Sequence, residues 1–338
     1  MPDAFFDLSP QDRNDALQVA ASRSGRPAHL LEKDVWVVWT LSTLFNAPFA
    51  RHIVFKGGTS LSKGYQAIER FSEDVDVTYD IRAIAPDLAP AGGDGLPATR
   101  SQEQRWTKTI RERLEVWIRD TVSPMLIERL QNERMEARVT AQTDTAQIEY
   151  EPRAEGSGYV RPVVLLEFGA RSTGEPFERR PVTCDAAAHL PEVTFPTASP
   201  AVMRPERTFW EKATAIHVFC QGGRFRGAER FSRHWYDIAS LDRAGFVTSA
   251  IADHELAEHV ARHKSIFFRE KDGPGDIIDY EDAVRGGLKL VPDGAAEELL
   301  AADYAGMVAD RLLFENAPDF TTLVTRCREI QNRANQIR

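Results

Sequence analysis

The chain has little cysteine, no long apolar run and no excess of positive charge. Only three of its 338 residues are cysteine, Cys184, Cys220 and Cys327. They lie far apart without a CxxC pair, which argues against a zinc cluster or a disulfide framework. The most apolar run, "VWVVWTLSTLF" from Val35, is too short to span a bilayer, so no membrane partner is expected. The opening "MPDAFFDLSPQDRND" is acidic and lacks the apolar core of a signal peptide, so the cytoplasm is the expected location. With 51 acidic against 42 basic residues the formal net charge is −9, and no global field draws the protein to nucleic acid. Any polyanion must be met by local basic patches. The 42% hydrophobic and 28% charged content is that of a folded globular protein rather than a disordered one.

What is present reads as an α/β first part and a helical last part. "SPQDRNDALQVAASRSG" predicts a helix with a Ser-Pro start and a Gly stop, and "PAHLLEKDVWVVWTLSTLFNAPF" predicts a second. "HIVF", from His52, is a short strand candidate running into Gly57 and Gly58. "TSLSKGYQAIERF" predicts a helix and "DVDVTYDI" a β-branched strand. Residues 83–99 form a Pro/Gly-rich connection. A charged helical stretch from Gln102 to Arg138 is expected to break near Pro124. "AQIEYEP" and "RPVVLLEFGAR" read as strands, and residues 171–200 as irregular. From Pro205 onward the pattern is helical: "PERTFWEKATAIHVF", "AERFSRHWYDIASLDRAG", "IADHELAEHVARHKSIFF", "GAAEELLAADYAGMVADRLLF" and "DFTTLVTRCREIQNRANQIR".

Chemistry concentrates in "FKGGTSLSKGYQAIERFSEDVDVTYD". Asp74 and Asp76 are two apart in a strand-like segment, so alternation sends both carboxylates from one face and turns Val75 and Val77 to the core. Side-by-side carboxylates repel unless a cation lies between them. Their hard oxygens suit Mg²⁺, which binds one or two carboxylates together with substrate phosphates. A solvated strand edge would explain the pair equally well on its own. Gly57 and Gly58, between a strand and a helix opening with Thr59 and Ser60, allow backbone amides to approach a phosphate. The hydroxyls either cap that helix or donate to phosphate oxygens. Neither a Walker nor a Rossmann spacing is present. Glu167, in the apolar "RPVVLLEFGAR", is expected to need a partner: a metal shared with Asp74 and Asp76, or an ion pair with Arg161 or Arg171.

Glycines, a helix, an Asp-x-Asp strand and a third acid on another strand resemble the nucleotidyltransferase fold of the polymerase-beta type. More narrowly, "LEKDVWVVWTL", "VFKGGTSLSKGYQAIERFSEDVDV", "RTFWEKATAIH", "SRHWYDIASL" and "DYAGMVADRLLF" resemble the AbiEii/AbiGii toxin family, from about residue 30 to the end. The fold this implies is α/β: a nucleotidyltransferase core with a mixed sheet and N-terminal helices over 1–200, and a helical domain over 201–338 completing the active-site cleft. The implied activity is metal-dependent transfer of a nucleotide from an NTP to the acceptor end of tRNA, by a toxin opposed by an antitoxin. The resemblance implies catalytic roles for Asp74, Asp76, Lys212 and Asp237. In the reading it supports, Asp74, Asp76 and Glu167 hold Mg²⁺, while Gly57, Gly58, Thr59, Ser60 and Lys212 hold the triphosphate. Where His234 stands the family often has an aspartate. The rivals are an enzyme that nucleotidylates a protein side chain and a non-catalytic NTP-binding module.

The residues of the helical half speak less directly. Phe209, Ala213 and Ile216 form an apolar stripe at helical spacing. Lys212 beside it either reaches a phosphate or snorkels along the surface. Arg230, Arg233 and Asp237 fall on one helical face, where Arg233–Asp237 is a possible local pair. The loop "GGRFRGAER" offers Arg224, Arg226 and Arg230 as an arm for phosphates, or as a solvated turn. Phe267 and Phe268 are expected in the core. Ser72, two before Asp74, is expected by strand alternation on the face of the acids, where a phosphate would switch the enzyme off, or else as a cap of the turn into the strand.

Overall fold

Strands form where buried side chains alternate and helices where they recur on one face, and these two periods divide the chain. The computed structural model describes residues 3–154, 160–222, 230–309, 312–313 and 317–336. They fall into two compact units: Met1–Gly64 with Glu73–Gly95 and Arg105–Val202, and Tyr65–Ser72 with Leu96–Gln104 and Met203–Arg338.

The first unit is built on a mixed sheet of seven strands. They are β1 (Ile53–Lys56), β2 (Val75–Asp80), β3 (Ala137–Gln142), β4 (Thr145–Tyr150), β5 (Val163–Ser172), β6 (Phe177–Arg179) and β7 (Ala201–Met203). Their order is β3-β4-β5-β2-β1-β7-β6. Strand β2 sits inside the sheet, antiparallel to β1 and parallel to β5. Val75 and Val77 on it are fully buried, as alternation requires. On β5 the buried face is Val164, Leu166, Phe168 and Ala170, which turns Glu167 outward.

Helix α1 (Pro10–Ser24) begins where Ser9 Oγ accepts from the Asp12 amide at 3.1 Å and ends at Gly25, φ 73°. It packs on α2 (Ala28–Phe45), which is buried nearly all round. Even the charged residues of α2 are buried or paired, and each ties the helix to a different segment. Glu32 accepts the Arg153 and Ala154 amides at 2.9 and 3.0 Å. Lys33 pairs with Glu73 and donates to the Arg161 carbonyl at 3.0 Å. Asp34 pairs at 2.6 Å with Lys63 at the end of α3 (Gly57–Lys63).

The predicted long helix is two helices joined by a π-helical turn, Ile118–Val122. They are α4 (Arg100–Trp117) and α5 (Ser123–Asn132), with Pro124 in the first turn of α5. A helix reaching Arg138 was expected, but β3 stands there instead. It is an edge strand, exposed along most of its length, so its period of two carries little apolar signal.

The second unit is helical. Its main members are α6 (Pro205–Cys220), α7 (Arg233–Arg243), α8 (Phe246–Ala252), α9 (His254–Phe267), α10 (Gly294–Ala309) and α11 (Phe320–Gln336). Helix α6 packs against α7, α8 and α9, and α7 also packs against α11. The stripe Phe209, Ala213 and Ile216 is fully buried. The expected single helix "IADHELAEHVARHKSIFF" is split at Asp253, whose carboxylate accepts the Leu256 amide at 3.0 Å and starts α9. Phe267 is buried, but Phe268 is 36% exposed under the Lys264 ammonium, 4.8 Å from its ring centre. Among the described residues no helix is long and apolar enough to cross a membrane.

Candidate active site

The glycine turn and Asp76 meet. Gly57 has φ +78°, and a Cβ added to it would lie 2.0 Å from Asp76 Oδ2. Only glycine leaves room for the Asp76 carboxylate over the first turn of α3. Strand register completes the arrangement: Asp76 stands opposite Lys56 on β1 and opposite Glu167 on β5. Residues in register share a face, so Lys56, Asp76 and Glu167 form a row across three neighbouring strands. Lys56, just before the glycines, has no role in the sequence-based reading; only the pairing of β1 with β2 reveals it.

Helix α3 is fixed at both ends. The Ser60 hydroxyl donates to the Gly57 carbonyl at 2.9 Å, and Lys63 is paired with Asp34 at 2.6 Å and Asp185 at 2.7 Å. Gly58, Thr59 and Ser60 are buried, and the capping residue Lys56 gives the helix no side-chain cap. The Ser60 hydroxyl thus shapes the turn from within. The helix also stops earlier than "TSLSKGYQAIERF" predicts. Gly64 packs close to the Ser60 carbonyl and Val202, and Gln66 adopts φ 51°, a left-handed conformation that no α-helix continues through.

Asp74 is half-buried and lies one residue before β2. The alternation argument therefore holds for Asp76 but does not extend to Asp74, and still less to Ser72, which also precedes the strand. Glu167 is exposed, which removes the premise that burial forces a partner on it. Among the described residues no group of three or more His, Cys, Asp or Glu side chains stands as a metal cage. The register supplies a pair, Asp76 and Glu167, with Asp74 adjoining in the chain. Two carboxylates beside substrate phosphates are a donor set that Mg²⁺ accepts, so the residues fit that ion as a shared ligand of protein and triphosphate.

The helical unit carries a second cluster of different character. Lys212 on α6 is 8% exposed, and its ammonium lies 2.9 Å from Asp237 Oδ2 on α7. The surface-lysine alternative is thereby overturned. Asp237 is fully buried and is gripped by both arms of Arg70: Nε to Oδ1 at 2.7 Å and Nη2 to Oδ2 at 2.9 Å. Burial pushes the Lys212 ammonium below the usual lysine value, opposed by Asp237. Burial pushes the Asp237 carboxyl up, but Arg70 and then Lys212 outweigh it and hold it far below the usual carboxylate range. Beside them the His234 imidazole is pushed well below its usual value, by burial first and then by the Lys212 and Arg233 charges.

Arg70 was not singled out from sequence, although it opens "RFSEDVDV". The signal that could have found it is the need of a buried aspartate for a bidentate cation. The Arg233–Asp237 helix pair does not form: Arg233 is exposed while Asp237 is inside. Arg230 precedes α7 with φ 63°, its amide on Asp303 Oδ1 at 2.8 Å, so it shares no helical face with them. Arg224 and Arg226 lie outside the described residues.

The geometry has a counterpart in sequence comparison. The family described as "Nucleotidyl transferase AbiEii toxin, Type IV TA system" matches residues 39–326. The chain belongs to this family. As an AbiEii member it is a nucleotidyltransferase toxin of a type IV toxin–antitoxin system, with a nucleoside triphosphate as the implied substrate and an antitoxin as the implied partner. No curated protein sequence matches. Among solved structures the chain is similar to MenT4, nucleotidyltransferase toxin Rv2826c from Mycobacterium tuberculosis H37Rv. The identity is 17%, covering 98% of this chain and 99% of that one, with a TM-score of 0.41. It is also similar to JHP933 from Helicobacter pylori, at 12% identity over 90% of each chain and a TM-score of 0.38.

Proposed function

We propose that this AbiEii toxin transfers a nucleotide from an NTP to the acceptor end of tRNA. The observation that carries the chemistry is the Asp76 carboxylate, seated on Gly57 and in register with Glu167. Asp74, Asp76 and Glu167 would hold Mg²⁺, which when bound neutralises phosphate charge and lowers the pKa of a coordinated hydroxyl. The Gly57–Ser60 turn supports the triphosphate with backbone that Ser60 holds rigid. Lys212 offsets negative charge as pyrophosphate departs, and Asp237 orients that ammonium. The tRNA acceptor rests on the family resemblance. A −9 protein gripping RNA through local arginines should bind it with a clear salt dependence.

The test is to incubate the protein and Mg²⁺ with each NTP labelled on its α-phosphate, in the presence of total cell RNA, and to locate the label. Label on tRNA-sized RNA supports the reading. Label on protein favours the protein-modifying rival, and bound but unconsumed triphosphate favours the non-catalytic module.

A further inference from the structure

Asp237 is a fully buried carboxylate with two cations on it, and they hold it differently. Arg70, itself 5% exposed, meets both oxygens with a planar fork, which fixes the plane of the carboxylate. Lys212 meets one oxygen with a rotatable ammonium on a four-carbon stem, which fixes nothing by itself. The position of the Lys212 ammonium is therefore set by Asp237, and the orientation of Asp237 by Arg70.

Arg70 is in turn held by the segment around it. Its Nη1 donates to the Phe71 carbonyl at 3.1 Å, the Phe71 amide donates to the Leu312 carbonyl at 2.8 Å, and the Tyr236 hydroxyl donates to the Glu69 carbonyl at 3.0 Å. Glu69, Arg70 and Phe71 are thus anchored together, with Tyr236 and Asp237 as the neighbouring residues of α7 that receive them. A side chain 167 positions away in sequence would not be needed merely to neutralise Asp237, which Lys212 already reaches.

We infer that Arg70 is a positioning residue for nucleotide transfer: it acts through Asp237 to place the Lys212 ammonium, and touches neither substrate nor metal. This inference rests on the function proposed above for Lys212. Arg70→Met, which keeps the length and apolar stem, should lower kcat about 100-fold, the scale of loss when a reacting group is misplaced by about 1 Å. KM for the triphosphate should change far less, because the contact matters most in the transition state. Arg70→Lys keeps the charge but not the fork and should recover only part of the loss. The deciding readout is the double variant Arg70→Met/Lys212→Ala, which should be no slower than Lys212→Ala alone, since Arg70 has nothing left to position.

Additive losses in that cycle, or wild-type kcat in Arg70→Met, would overturn the inference. If Arg70→Met does not fold, Arg70→Lys carries the test through a roughly 10-fold fall in kcat at unchanged KM; unimpaired kcat there would overturn it. A wild-type protein that consumes no triphosphate would instead overturn the proposed function itself, and this inference with it. Failure of the variants against an active wild type overturns this inference alone.

Discussion

The acid row of the sheet and the charge cluster of the helical unit solve opposite problems. Asp76 is half-buried and Glu167 exposed, so both stand where solvent reaches them. What fixes Asp76 is shape: a glycine without a side chain beneath it and buried valines on either side. Arg70, Asp237 and Lys212 are instead buried, Asp237 completely and Lys212 with 8% of its surface open, and are paired with one another. What fixes them is mutual charge in a medium of low dielectric, where losing one partner leaves an uncompensated ion. On the function proposed above, the acids that would hold a metal are left accessible, whereas the cation that would stand in one place is buried with its counter-ion.

The largest effect that would test this contrast is at Asp237. Asp237→Asn should destabilise the fold by about 3–5 kcal/mol, since two buried cations lose their carboxylate, and it should lower turnover as well. Urea unfolding checks the first and label transfer the second. A stable Asp237→Asn would break the comparison, because the cluster would then owe little to buried charge. Gly57→Ala comes next. With a Cβ 2.0 Å from Asp76 Oδ2 and a φ of +78°, it should cost about 1–3 kcal/mol of stability and displace Asp76, so turnover should fall too. Full activity in that variant would mean that Asp76 is not held by shape.

The smallest effect sharpens what burial does to charge in the helical unit. His217, whose Nδ1 accepts from the Lys289 amide at 3.0 Å, has its pKa lowered to about 4, by burial first and then by the Lys289 charge. Above its ordinary value of 6.5 the ring is neutral in both folded and unfolded chains. As pH falls from there toward 4, the unfolded chain takes up a proton that the folded one refuses. Stability should therefore decline across this window, by on the order of 1–2 kcal/mol. His217→Gln should flatten that part of the pH–stability curve, and an unchanged slope would show that the ring protonates inside the fold.

The sequence was most readable where local pattern and tertiary demand agree. The Ser-Pro start and glycine stop of α1, the alternation of Val75 and Val77, and the stripe of Phe209, Ala213 and Ile216 are all local signals that packing reinforces. Reading failed where a distant partner prevailed. "YQAIERF" has helical periodicity, yet Ala67 and Ile68 are buried outside any helix, because Glu69 and Arg70 are drawn to α7. Arg233 and Asp237 have the spacing of a helix pair, but Asp237 gains more from a buried guanidinium than from an exposed one. Strand β3 carries no alternating signal because an exposed edge has few apolar residues to alternate. Lys56 could be joined to Asp76 only by strand order, which no single segment encodes, whereas Glu167 is already grouped with the aspartates in the sequence reading.

On the function proposed above, the Asp76 carboxylate, held on Gly57, serves transfer rather than stability. The most direct test of that role measures label transfer from an NTP and thermal unfolding on the same preparations of wild type and Asp76→Asn. The melting temperature should stay within about 2 °C of wild type, as for a half-buried residue whose loss opens no cavity. Transfer should fall by about 1,000-fold or more, the scale of losing a charge-stabilising group at the reacting phosphate. An Asp76→Asn protein that melts normally and transfers nucleotide at the wild-type rate would contradict that role.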